Sequence, residues 1–414
     1  MNPYTMKLQQ ECKPALGVTE VGAVALCTSR AYVLIGGKIQ HISVCTNGGV
    51  YKNGFSCGIP ATNEIGTALA AALGAVGGKW ELGLECLRDI TDGDIAVAKE
   101  IAVESTVDGD KDFIWIAAKI TTDLGVAEAH IAQTHGNFVY LAKDGEVLFQ
   151  KELTEEAEVA DLNFDAITIA DLVDYAKNVD LEEILFLRDM IEMNVFLSEK
   201  GAVGTGLGLG VMDMMFMGEG VLAQAQKLTC SAMDARLAGL PYPAMSIVGS
   251  GSHGILCSLP VVAYAKHVKA TEEALLRALA LSGMITIYSK HYTGRLSALC
   301  GCVLGGGSGA AGGIVYLMGG DAKAVSAAMD HMAANLTGMI CDGGSIGCAL
   351  KASTGVYTAI LSANIAMQGI AMPNSFGILG QNVEETTKNL GIISAKGMAP
   401  MDETIIEIMQ GSNQ

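Results

Sequence analysis

Two short segments carry the side chains with the greatest chemical reach. RLSALCGC (295–302) holds Cys300 and Cys302, and GMICDGGSIGC (338–348) holds Cys341 and Cys348. An iron-sulfur cluster needs several thiolates at close range, and glycines let the backbone curve around an inorganic core and aim N–H groups at sulfide. A cluster held by three thiolates keeps one iron open to act as a Lewis acid on a substrate heteroatom. Spacing alone is less specific: zinc sites usually read C-x2-C to C-x4-C, and buried structural cysteine competes with any metal centre.

SIVGSGSHG (246–254) is a loop of hydroxyls and glycines ahead of the helix-like run Ile255 to Lys266, where exposed N–H groups suit a carboxylate; its plain alternative is a helix connector. VYKNG (50–54) offers Lys52, which can pair with a carboxylate or act as a base if desolvated, although a surface lysine in a turn is the commoner outcome. Among 7 histidines, His135 and His253 stand out by neighbourhood, and no zincin spacing occurs. GLGLG (206–210) follows a helical pattern and lacks the full dinucleotide spacing, so dinucleotide binding is discounted, and no Walker or nucleophile-elbow motif is present.

The elements that must position these residues divide in two. Lys38 to Cys45 alternates as a strand, and the turn-rich Asn47-Gly48-Gly49 precedes Val50 to Ser56. Ala68 to Val76 reads as an alanine-rich helix closed by Gly77-Gly78, with another helix expected near Glu81 to Glu104. From Phe113 to Leu153 β-branched and aromatic residues accumulate, with Lys143-Asp144-Gly145 as a hairpin turn, which predicts a meandering sheet. The acidic stretch Glu155 to Asp165 reads as a linker or surface loop; helical spacing follows over Ile167 to Lys177 and Leu181 to Ser198, and helix with glycine loops beyond. The fold class expected is α+β: an N-terminal α/β domain (31–160) with a mostly antiparallel sheet, and a larger all-helical, glycine-rich domain (165–414) that carries the cluster site. The first thirty residues are expected as a helix packed on the latter.

Composition bounds the function. With 26 basic and 44 acidic side chains the net charge is −18, which disfavours nucleic acid and anionic membrane surfaces. Half of the 414 residues are hydrophobic and 17% charged, which supports large cores and excludes global disorder. Aromatics are scarce at 5% against 51 glycines, so helices are expected to pack by close backbone approach. The uncharged runs Leu296 to Gly320 and Ala352 to Val383 are broken by glycines, Gln368 and Pro373, and read as buried helices rather than membrane spans. The 11 cysteines behind an N-terminus without a secretory pattern fit a reducing cytoplasm.

Taken in chain order, KPALGVTE (13–20), YKNG (51–54), AAALGAVGG (70–78), His135 with Asn137, MDAR (233–236), PAMS (243–246), GSGSHG (249–254), RLSALC (295–300), GMICDG (338–343) and IIEIM (405–409) resemble the L-cysteine desulfidase family, related to the alpha chain of iron-sulfur L-serine dehydratases. The resemblance spans nearly the whole chain. It implies a [4Fe-4S] cluster on Cys300, Cys341 and Cys348 and a non-redox β-elimination of hydrogen sulfide or water from a small amino acid, giving a keto acid and ammonia. Lys52 and His253 would be the catalytic pair; Asn53, Thr62, His135, Asn137, Ser250, Ser252 and Arg295 would bind the substrate. An L-serine dehydratase-type deaminase and a non-catalytic amino-acid-binding homologue are the alternatives, and a homodimer is left open.

The sequence departs from the family pattern where PALGCTEP is usual and PALGVTEV stands, so Val18 replaces a cysteine, and a valine neither takes a proton nor binds iron. Ile247, Val248, Ser252 and His253 differ from the usual glycine loop, as do Ala61 and Asn63 from the usual PGTG, which together imply a changed substrate.

Overall fold

The computed structural model describes residues 1–111, 113–153, 162–209 and 220–411. Most of the acidic stretch expected as a linker, and the last glycine of GLGLG, lie outside them.

Among the described residues eight strands form two sheets of unequal size. Strands β1 (Lys13–Leu16) and β8 (Pro243–Ser246) make a small antiparallel pair. β2 (Ile39–Asn47), β3 (Val103–Asp108), β4 (Trp115–Thr122), β5 (Gly125–Ala132), β6 (Phe138–Lys143) and β7 (Glu146–Gln150) form a six-stranded sheet in the order β3-β2-β4-β5-β6-β7. Of the described pairings in this sheet only β2–β3 is parallel, because the connection between them is a helical crossover, whereas β4 to β7 follow each other through short turns. The β6–β7 turn is the expected Asp144-Gly145, whose φ values of 49° and 83° match the twist of a two-residue hairpin.

The sheet is mixed rather than purely meandering because the segment read as one helix from Glu81 to Glu104 is cut up. Gly83 adopts φ 57°, a short helix Asp92–Lys99 starts at the capping box of Thr91 and Asp94, and β-branched Val103, Thr106 and Val107 then enter β3. Gly48–Gly54 forms a short helix directly after β2.

The first thirty residues are divided between both halves of the molecule. Helix Pro3–Glu11 packs against helix Glu272–Thr293 and β1 pairs with β8, but helix Thr19–Ile35 lies across β4 and β5 and against helix Thr67–Gly77. The alternation of β4 and β5 explains this: Ile116, Ala118 and Ile120 with Ala129 and Ile131 point to one face and need a cover, which the small-residue stripe Ala23, Cys27 and Ala31 supplies. Cys27 Sγ donates to Ala129 O at 3.0 Å across that contact.

The helical half is organised around helix Gly307–Leu317, which is buried from Gly307 to Val315 among helices Gly251–Val268, Glu272–Thr293 and Cys348–Met367. Gly309 makes this possible: a Cβ there would stand 2.4 Å from the backbone oxygen of Ser282, so any side chain would push the two helices apart. No helix among the described residues is long and apolar enough to cross a membrane.

Candidate functional site

The two cysteine turns meet. Helix Glu272–Thr293 stops at Gly294, and the chain that follows runs antiparallel to the second cysteine segment for a single bridge, Leu299 to Ile340. Cys300 N–H donates to Met339 O at 2.9 Å and Cys341 N–H to Ala298 O at 2.8 Å, so backbone hydrogen bonds fix Cys300 and Cys341 side by side. Cys302 opens a π-helical turn, Cys302–Gly306, and Cys348 is the first residue of helix Cys348–Met367. All four line one cavity of about 80 Å³. The Sγ atoms of Cys300 and Cys302 lie 3.4 Å apart, and every cysteine is a free thiol.

Backbone approach closes the floor. Gly343 has φ 95° and a Cβ there would sit 2.3 Å from Lys52 O, while Gly344 N–H donates to Asn53 O at 3.1 Å. The glycines therefore let the thiol turn lie flat on helix Gly48–Gly54, and Asn53 Oδ1 reaches Cys341 Sγ at 3.8 Å.

The walls carry buried charge. Lys290 is 2% exposed, donates to Ser297 Oγ at 3.0 Å, and is pushed down to about 8 by burial against the opposing pull of the cysteines. Gly301 gives it room: a Cβ there would lie 2.7 Å from Lys290 Nζ and 2.8 Å from His253 Nε2, so both groups sit over the Cys300 turn. His253 Nδ1 is 3.3 Å from Ile247 O, and since a carbonyl only accepts, Nδ1 carries the proton and Nε2 keeps its lone pair. Burial, then the Lys290 charge, hold His253 well below the usual histidine range, so it is neutral at physiological pH.

Glu20 is the buried anion of the cavity. Burial opposes its charge, but His135 Nε2 at 3.6 Å and the Asn53 amide donating at 2.8 Å outweigh it and bring the carboxyl down to about 2. Cys300 is lowered because the Cys302 thiol donates to it, and Cys302 is raised by the same contact. Burial raises Cys341 and lifts Cys348 to about 11.

Nine of the residues singled out from the sequence line this cavity: Asn53, His135, Ser250, Ser252, His253, Arg295, Cys300, Cys341 and Cys348. Three stand elsewhere. Lys52 turns its Nζ to Asp402 on the C-terminal helix Ala399–Gly411, at 2.7 Å. Thr62 donates to Ile59 O within its own turn, and Asn137 closes the β5–β6 turn by donating to Ala132 O and accepting from Lys151. Arg295 lies in the lining but is already paired with Glu11, at 2.9 and 3.1 Å.

The lining also contains Val18, which stands where the family pattern has a cysteine, and Glu20, Arg236, Lys290 and Lys351, which sequence reasoning did not single out as site residues. Glu20 and Arg236 were visible only inside KPALGVTE and MDAR. Lys290, ten residues before Cys300, looks like the solvated end of a helix until that end is buried.

Among the described residues no three His, Cys, Asp or Glu side chains close tightly enough to hold a single metal ion. The donor set is nevertheless suited to a wider anionic core. Thiols from two turns surround an opening, and buried cations stand behind them to offset the charge that thiolates and sulfide would bring.

An α+β chain whose glycine-rich helical half closes a thiol-lined, cation-walled cavity belongs to the serine dehydratase alpha chain family, whose model matches residues 81–407. A UPF0597 protein of Clostridium botulinum strain Hall is 40% identical over 422 residues, with 98% of both chains covered. Similar UPF0597 proteins occur in Clostridioides difficile strain 630, 40% identical with 98% of this chain and 99% of the relative covered, and in Caldanaerobacter subterraneus, 39% identical with 97% and 96% covered.

Proposed function

We propose that this protein is a [4Fe-4S]-dependent, non-redox lyase that eliminates water or hydrogen sulfide from a small amino acid, in the manner of an L-serine dehydratase or L-cysteine desulfidase. The observation that carries the reading is the convergence of Cys300, Cys341 and Cys348 on one cavity with His253 and Lys290 over it. The family description favours L-serine as the first substrate to try.

Cys300, Cys341 and Cys348 would hold the cluster, with the Cys302 thiol donating to the Cys300 sulfur. Bound there, the cluster supplies an open iron that acts as a Lewis acid on the substrate's hydroxyl or thiol. The chain's own residues do the rest. His253 Nε2, neutral and facing the cavity, accepts the weakly acidic Cα proton. The electron pair left behind forms the Cα–Cβ double bond as the Cβ–O or Cβ–S bond breaks, and the leaving group departs as water or hydrogen sulfide by taking from His253 the proton removed from Cα, which returns His253 to its neutral form. The aminoacrylate then hydrolyses to keto acid and ammonia. Val18, 2% exposed, makes an apolar wall and offers no proton, which concentrates acid-base work on His253.

The test is anaerobic preparation followed by assay of keto-acid release from L-serine, L-cysteine and L-threonine. A brown protein with about four iron and four sulfide per chain and pyruvate released from L-serine or L-cysteine is expected. Protein that stays colourless after reconstitution and releases no keto acid from any of the three defeats the reading.

A further inference from the structure

Arg236, in the middle of the helical half, forms no ion pair among the described residues. It is 3% exposed and lines the thiol cavity. Its Nη1 donates to the neutral hydroxyl of Ser252 at 2.9 Å, and its Nε has no hydrogen-bond partner among the described residues. The start of helix Gly251–Val268 is shaped around it, since a Cβ on Gly251 would fall 2.3 Å from that Nε. Burying a guanidinium out of contact with any carboxylate is costly, so a fold that builds a niche for one is suited to an anion that arrives from outside.

Glu20 is the opposite case in the same cavity. It is 6% exposed, ionised, and held by the Asn53 amide and by His135, neither of which is a fixed cation like lysine or arginine. Arg236 and Glu20 feel each other's charge yet form no ion pair. The other cations of the lining have their own partners: Arg295 is locked to Glu11, Lys351 to Asp342, and Lys290 stands at the thiol turn beside Ser297. Two buried cations, Lys290 over the thiol turn and Arg236, and one buried anion, Glu20, therefore remain in the lining, and of the two cations it is Arg236 that keeps a nitrogen without a partner.

We propose that Arg236 and Glu20 form a clamp for a zwitterion, in which the Arg236 guanidinium and the Ser252 hydroxyl take an α-carboxylate and the Glu20 carboxylate takes an α-ammonium. The clamp rests on the reading of the cavity as an amino-acid site and narrows it: free α-amino acids are substrates, and hydroxy acids and simple amines are not. A bidentate guanidinium–carboxylate contact gives the orientation, and the ammonium contact gives the selectivity.

The test is equilibrium binding to the full-length protein by calorimetry, with three probes that have no leaving group and so cannot be turned over: L-alanine, L-lactate and ethylamine. L-Alanine is expected to bind at least about tenfold more tightly than either of the others, because each lacks one charged contact. Glu20→Gln should remove the preference for L-alanine over L-lactate while leaving L-lactate affinity unchanged. Arg236→Gln should weaken both, and Arg236→Lys should recover part of the loss. Iron content after reconstitution should stay at the wild-type level in all three variants.

Equal binding of L-alanine and L-lactate, no saturable binding of L-alanine, or an Arg236→Gln protein that loses iron but binds L-alanine normally would each overturn the clamp; the last would make Arg236 a counter-ion of the thiol site. Should the Arg236 variants fail to fold, the probe series on the unmodified protein decides by itself. Keto-acid release enters none of these readings. Selective L-alanine binding without turnover leaves the clamp and removes the lyase, and turnover without that selectivity does the reverse.

Discussion

The six-stranded sheet and the glycine-rich helical half bury their surfaces by opposite means. The sheet core is aliphatic: Ile116, Ile120 and Ile131 fill the space beneath helix Thr19–Ile35, and the ionisable Cys27 buried there is pushed up by burial into an inert thiol. The helical half saves volume through glycine and spends it on charge, enclosing Arg236, Lys290 and His253 beside a thiol cluster. The sheet supplies a rigid platform, whereas the helices accept electrostatic cost to keep reactive groups dry. Chemistry belongs with the second design because desolvated groups interact more strongly and have shifted proton affinities.

The sharpest way to break this contrast is at the thiols. Cys300→Ser, Cys341→Ser or Cys348→Ser should each lower iron content after anaerobic reconstitution and cut keto-acid release by roughly 100-fold or more, while Cys302→Ser and Cys27→Ser retain most of their iron. Full iron in any of the first three removes that residue from the ligand set.

Volume changes should act with opposite sign in the two halves. In the sheet, Ile116→Ala leaves a hole and should cost about 2–5 kcal/mol. In the helical half it is the added methyl of Gly309→Ala that should hurt, by about 1–3 kcal/mol, because Ser282 O already occupies its place. Urea unfolding curves measure both, and a stable Gly309→Ala would show that the helices have slack.

Acid should find the cavity before it finds the sheet. The folded Glu20 carboxyl at about 2 lies below its unfolded value of 4.5, so its contribution, roughly 3 kcal/mol, is fully present above pH 4.5 and is lost as pH falls toward 2. Glu20→Gln should flatten the stability profile in that window. An unchanged acid limb in the variant would mean that other carboxylates govern it.

The smallest effect belongs to the C-terminal helix. Asp402 is 29% exposed, so its ion pair with the buried Lys52 is partly screened, and Asp402→Asn should cost only about 1 kcal/mol in thermal unfolding. A much larger loss would mean that Lys52 is held as rigidly as the site it abuts.

Much of the fold was legible because its signals are local. The Asp144-Gly145 hairpin, the alanine-rich helix before Gly77 and the helical run around Leu187–Gly201 follow from turn chemistry and periodicity. β3 was hidden, since Val103–Asp108 follows a helix without a strong turn signal and gains its strand identity only by pairing with β2 across a long crossover. In the site, the cysteines, His253 and Ser252 announced themselves by type and by glycine context, and Asn53 through the family resemblance. Glu20, Arg236 and Lys290 did not, because a charged residue on a helix looks solvated until something covers it.

The sequence by itself determined which residues can bind metal or move protons, the two-part α+β plan and the small-residue packing of its second part, for these depend on side-chain type and short-range periodicity. Only the tertiary structure decided which charges are buried, that Cys300 and Cys341 lie hydrogen-bonded side by side, and that Lys52 turns away to Asp402. The physical reason is that burial and long-range contact are properties of how distant segments close over one another, and they fix the proton affinities and pairings on which the chemistry depends.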